Sequence, residues 1–70
     1  MTTETLGDAL PAQMARVRDE IMPLYVKIGA PGTLGLAFMR QSLDAAAKAM
    51  ASGDVVAMLR AYEDLKGYEA

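Results

Sequence analysis

The chain contains no cysteine and no histidine. Missing thiols exclude a disulfide framework, and the loss of both residue types removes the common zinc sites. Catalysis by a Cys nucleophile or a His acid–base is excluded with them. A cysteine-free chain also suits a reducing interior. Positive charge is scarce as well. Seven Lys and Arg face nine Asp and Glu, for a net charge of −2, so no basic surface is present to displace phosphate counterions. Nucleic acid is therefore not an expected partner. No apolar run nears the roughly 20 residues that span a bilayer, and Met1-Thr2-Thr3-Glu4-Thr5 has no cationic region of the kind that opens a signal peptide. A soluble, cytoplasmic protein without a membrane partner is expected. Alternation of apolar and polar residues is absent too, which leaves no strand to expect.

The rest of the composition is rich in helix formers. The pattern predicts an all-α fold, a single helical domain over residues 1–70 with three helices in an antiparallel arrangement. The first, long and kinked, runs from about residue 5 to 28. Thr5-x-x-Asp8 resembles a capping box, and Asp8 is an alternative N-cap that would place Pro11 in the first turn, where a missing N–H costs nothing. Leu10, Met14, Val17, Ile21, Leu24 and Ile28 come next at alternating spacings of four and three, as in a heptad seam. Pro23 interrupts the backbone ladder at the Asp19 carbonyl and predicts a kink there.

Gly29 is expected as a left-handed C-cap and Pro31 as the stop, with Thr33 capping a second helix over about 33–52. Its main apolar stripe is Leu36, Met39, Leu43, Ala46 and Met50, and a second stripe holds Leu34, Phe38, Ala45 and Ala49. Arg40, Asp44 and Lys48 form an i,i+4 charge ladder on the wet side. Gly53 and Asp54 punctuate the chain before a short third helix over about 54–66, expected to bury Val55, Leu59, Tyr62 and Leu65 and to fold back over the other two. Gly67 closes it, and Tyr68-Glu69-Ala70 is a short tail.

No residue set supports catalysis or a metal, and no cofactor or small-molecule substrate is expected. Ser42 and Ser52 lack a base partner and read as helix-packing and helix-terminus residues. Asp19-Glu20 and Glu63-Asp64 are neighbours whose side chains point in different directions, and they read as solvated helix faces. The glycine-rich run 29–35 opens a helix but is preceded by no strand and precedes no lysine, so a plain turn explains it better than a phosphate loop.

A chain this short buries only about 60% of the surface its unfolded form exposes. With disulfides and zinc removed, self-association is the remaining way to stabilise it, and a homodimer is expected. Its helices carry more apolar surface than one copy can cover. Met22 lies off the first seam and Met58 beside Leu59, both suited to an adaptable contact surface. Tyr25, Leu34, Phe38, Arg40, Arg60 and Tyr62 add apolar, aromatic and Arg side chains, the last two types being enriched at interface hot spots. These eight residues are the expected partner or dimer contacts.

Gly32-Thr33-Leu34, Met39-Arg40, Leu43-Asp44, Ala49 and Gly53-Asp54, with a short amphipathic helix after them, resemble small early-region proteins of Mu-like transposable phages, including the phage anti-quorum-sensing proteins. Those family members carry an aromatic immediately before the arginine that matches Arg40, whereas this chain has Met39 there and Phe38 one position earlier. The resemblance implies a dimeric helical anti-activator in the cytoplasm of a host cell. Such a protein binds a LuxR-type (LasR-like) quorum-sensing activator or the pilus assembly ATPase and inhibits it by stoichiometric contact. The alternatives are an accessory or structural subunit of a phage replication or transcription assembly, and a helix-turn-helix DNA binder. The latter would have to read the groove with a third helix on which acids outnumber bases.

Overall fold

A computed structural model describes residues 5–69 of the chain. The described residues are helical, without strands, and form the three expected helices. α1 covers residues 6–28 and has three parts: α-helical Leu6–Arg16, a π turn at Val17–Ile21, and α-helical Met22–Ile28. A 3-10 turn, Ala30–Gly32, leads straight into α2, Thr33–Ser52. α3 is Val55–Lys66. Among the expectations for the tail, Ala70 lies outside the described residues, as do residues 1–4 at the other terminus.

Helix starts obey local chemistry, with Thr5 chosen over its alternative at α1 and one correction at α2. Thr5, not Asp8, is the N-cap of α1. Its hydroxyl donates to the Asp8 carboxylate at 3.0 Å instead of capping a backbone N–H, while its carbonyl accepts from Asp8 and Ala9. Pro11 therefore sits inside the helix, beyond the first turn in which an Asp8 cap would have placed it. Gly32, not Thr33, precedes α2, because the 3-10 turn has already set the chain in a helical conformation. Gly29 has φ 79° but ψ −138°, so it is not the left-handed cap foreseen, although only glycine adopts such a conformation readily. Gly53 is a true left-handed cap (φ 70°, ψ 17°), and the Asp54 carboxylate accepts from Ala57 N–H at 3.2 Å. The Ser52 hydroxyl works between them, donating to the Ala49 carbonyl and accepting from Asp54 N–H.

The π turn reshapes the first seam. Pro23 has no N–H for the Asp19 carbonyl and its ring crowds that oxygen. Directly before it the ladder widens, and Met22 N–H bonds to the Val17 carbonyl, five residues back. An extra residue in a turn rotates the remainder of the helix by about 100°. Leu10, Val17 and Ile21 stay buried and Met14 is half-buried, but Leu24 and Ile28 are exposed. The seam does not continue in phase; Met22 and Tyr25 pack against the core in place of Leu24 and Ile28.

α2 turns its expected stripe inward. Met39 and Ala46 are fully buried, with Leu43 and Met50 packed beside them. Of the second stripe only Ala49 is covered, while Leu34, Phe38 and Ala45 face solvent. In the charge ladder, Asp44 and Lys48 form an exposed ion pair at 2.9 Å. α3 buries Ala61 and Leu65; Val55 and Leu59, expected inside, are exposed, and Tyr62 is half-buried. Ala61 thus shares the inner side of α3 with Leu65, Met58 and Tyr62, while Val55, Val56 and Leu59 fall on the outer side.

α1 meets α2 mainly through its C-terminal part and α3 through its N-terminal part, while α3 also lies along α2. The result is flat, 39 × 27 × 15 Å, with a radius of gyration of 12.6 Å, against about 11 Å for a compact chain of this length.

Candidate protein-interaction surface

Three polar contacts lock the end of α3 between the other helices. Arg16 on α1 is half-buried. Its Nη2 donates to the carbonyls of Leu65 and Tyr68, both at 2.9 Å, and its Nε donates to Gln13 Oε1 at 2.9 Å. A cation over the last carbonyls of a helix satisfies otherwise orphaned acceptors and complements the helix dipole. Tyr68 then reaches across to α2, where its hydroxyl hydrogen-bonds the buried Ser42 hydroxyl at 2.9 Å. Among the described residues no buried side-chain polar atom is left without a partner. Tyr68 is thus fastened to both α1 and α2. Sequence reading missed this latch; the one signal was an aromatic placed just past the glycine that ends α3.

A second junction holds the other end. The Tyr25 ring lies against Gly35, where an added Cβ would come within 2.6 Å of the ring, and the Tyr25 backbone lies against Gly32. Side chains at either glycine would push α1 and α2 apart. The glycines of the run 29–35 therefore serve helix contact and turning, in line with the plain-turn reading.

The eight expected contact residues divide evenly. Met22, Tyr25, Met58 and Tyr62 are half-buried and pack against the core, while Leu34, Phe38, Arg40 and Arg60 are exposed. Leu34 and Phe38, four apart, share one line along α2. Arg40, two residues beyond Phe38, points about 200° away and so belongs to another side. Tyr62 carries Lys66 over its ring, with Nζ 5.8 Å from the centroid. Arg60 borders an open groove of about 390 Å³ between α2 and α3. Ala45, Ala57 and Ala61 line it together with Val56, Asp54 and Asp64.

Two exposed apolar areas result. One belongs to the α1–α2 end and contains Leu24, Ile28, Leu34 and Phe38, with Val26 on a different side of α1; the other is the outer side of α3 with Val55, Val56 and Leu59. Sequence reading named Leu34 and Phe38 but took Leu24, Ile28, Val55 and Leu59 for core. Periodicity alone could not separate the two roles, since both need apolar residues at helical spacing.

Charge plays little part. The Arg18–Asp19 pair at 2.9 Å is exposed; hydrogen bonding to Arg18 holds the Asp19 carboxyl below its usual range. Among the described residues no three acidic side chains gather as a metal-binding group, and no helix is long and apolar enough to cross a membrane.

No family model, curated protein or solved structure matches the chain.

Proposed function

We propose that the protein is a non-enzymatic binding module that acts by stoichiometric contact with another protein. One observation supports this reading: among the described residues eight large apolar side chains are exposed, and seven of them fall on two helix faces. Scattered apolar residues on a surface need no explanation, whereas apolar residues grouped on helix faces mark contact sites. Rigid helices with an uncovered face suffice for capture, and no chemistry is required of them.

In its finer form the reading rests on the resemblance carried by Gly32-Thr33-Leu34, Met39-Arg40 and Gly53-Asp54. The partner is then a host regulator of the LuxR type or the pilus assembly ATPase, bound in the host cytoplasm and inhibited by occlusion. Co-expression with each candidate target tests it directly. A complex of fixed stoichiometry that is lost in a Leu59→Glu or a Phe38→Asp variant is the expected result. Failure to form a complex with either target overturns the finer reading. An accessory or structural subunit of a phage replication or transcription assembly is the second reading, favoured by self-association beyond a dimer or by dependence on another phage protein for solubility.

A further inference from the structure

Charge is distributed unevenly along the chain, and the α1–α2 end falls in its longest acid-free stretch. Between Glu20 and Asp44 no carboxylate occurs, and Lys27 and Arg40 are the only charged side chains. Residues 21–43 are thus net +2 in a chain of net −2, which leaves −4 elsewhere. From Ile28 to Met39 twelve residues hold no charge at all, and the two cations stand directly on either side of them. The fold bends this uncharged run into the tip where α1 passes into α2. The tip is apolar on two sides. Tyr25 and Gly35 meet at the contact between the helices, with α2 returning along α1. Leu24 and Ile28 lie about 100° and 60° round α1 to one side of Tyr25, and Leu34 and Phe38 lie at the matching angles round α2 from Gly35. Val26 lies about 100° to the other side of Tyr25, and it is 62% exposed. The connecting turn keeps its backbone to itself. Gly29 N–H donates to the Val26 carbonyl, Gly32 N–H to the Gly29 carbonyl and Thr33 N–H to the Ala30 carbonyl, while Pro31 has no N–H.

We propose that this tip is a membrane-surface anchor, which enters the interface of an anionic lipid bilayer to the depth of Phe38. Its length suits the role: an apolar run of about 10–14 residues is too short to span a bilayer but fits an interfacial segment. Phe38 stands six residues beyond Gly32 and Leu24 five before Gly29, about 9 and 7.5 Å along their helices. Apolar helix faces enter the headgroup boundary by roughly 5–10 Å. Three observations select lipid over a protein surface. First, apolar side chains on two sides of a hairpin end cannot all lie on one flat partner, whereas immersion covers them together. Second, a turn whose N–H groups are already bonded loses little on leaving water. A hydrocarbon boundary demands this, and a wet protein interface does not. Third, Lys27 and Arg40 border the run with positive charge, their long stems can reach the phosphate level, and no carboxylate is present to be repelled. The expectation of no membrane partner rested on the lack of a spanning run, which surface anchoring does not need. The outer side of α3 stays free for a target, so anchoring goes beyond the capture function without depending on it.

Flotation of the full chain with lipid vesicles tests the proposal. The wild type is expected to float with vesicles of equal parts phosphatidylcholine and phosphatidylglycerol, and to bind pure phosphatidylcholine about 10-fold more weakly. Leu34→Glu should lower partitioning by more than about 10-fold while retaining helicity, because it removes an inserted apolar side chain and adds a repelled charge. Val55→Asp, on α3, should bind as the wild type does. The chain has no tryptophan, so single tryptophans provide an independent readout. Emission from Phe38→Trp should shift to the blue when the anionic vesicles are added, and emission from Leu59→Trp should not. No flotation with anionic vesicles, equal binding to neutral ones, an unchanged Leu34→Glu, a comparable loss in Val55→Asp, or a blue shift at Leu59→Trp alone each overturns the proposal. Phe38→Trp emission that is already blue without lipid also overturns it, by placing that face against a second copy or another protein. Should Leu34→Glu lose its helicity, the tryptophan pair decides. No target protein enters these measurements, so their failure leaves the capture reading standing.

Discussion

The two ends of α1 experience different surroundings although one seam of apolar residues runs along both. In the N-terminal half, Leu10 and Val17 are fully covered, and Arg16 ties the carbonyls of Leu65 and Tyr68 to the helix. In the C-terminal half, Leu24 and Ile28 occupy the same sequence phase and face solvent. Two causes separate them. The π turn before Pro23 shifts the phase, and α3 lies over the first half but not the second. Apolar side chains of similar type and spacing are therefore buried at one end and exposed at the other. Position relative to the third helix decides which.

Leu65→Ala against Leu34→Ala should break this comparison most sharply. Leu65 is completely buried, and truncation should cost about 3 kcal/mol through lost transfer energy and a cavity. Leu34→Ala, measured by urea unfolding, should change stability by less than about 0.5 kcal/mol. Equal losses at the two sites would erase the distinction between a covered end and an open one.

Arg16→Met tests the latch while keeping an apolar stem of similar length. Two hydrogen bonds from a half-buried guanidinium to the end of α3 disappear, with an expected cost of about 2 kcal/mol. Hydrogen exchange should show faster opening confined to α3 and the tail, with the α1–α2 end unaffected. Uniform loosening of all three helices would mean that the two ends do not behave separately.

The smallest effect is expected at Asp19. Its carboxyl is held below the usual range by Arg18, so any stabilisation exists above the unfolded value of about 3.9 and is lost as pH falls through the lower folded value. Both side chains are solvated, which leaves little energy in the pair. Thermal unfolding of Asp19→Asn should overlay the wild type near neutral pH within error, and any gap should close on acidification. A gap that widens as pH falls would contradict this sign.

Much of the architecture is readable along the chain. Glycine and aspartate at 53 and 54 mark a helix end and a cap because a left-handed residue and a carboxylate acceptor are local requirements. The α2 stripe through Met39 and Ala46 is legible for the same reason: twenty residues of uninterrupted helix keep a constant phase. The first seam misleads beyond Ile21, since a proline announces a disturbance in the ladder without saying that it will take the form of an inserted residue. On α3 the pattern Val55, Leu59, Tyr62, Leu65 looks like a buried face, yet Ala61 is buried and Leu59 is not. How closely two helices approach depends on both surfaces, and a single helix's hydrophobicity profile holds only one of them. Of the eight expected contact residues, Leu34, Phe38, Arg40 and Arg60 are exposed, and the other four pack against the core.

Helix content, the places where helices stop, and the lack of thiol, imidazole and basic clusters come from residues acting on neighbours within a few positions, and the chain determines them unaided. Which apolar residues become core and which become surface is a tertiary outcome. It depends on where α3 comes to rest and on the register set by Tyr25 against Gly32 and Gly35, because burial is a property of two surfaces meeting and not of one segment alone.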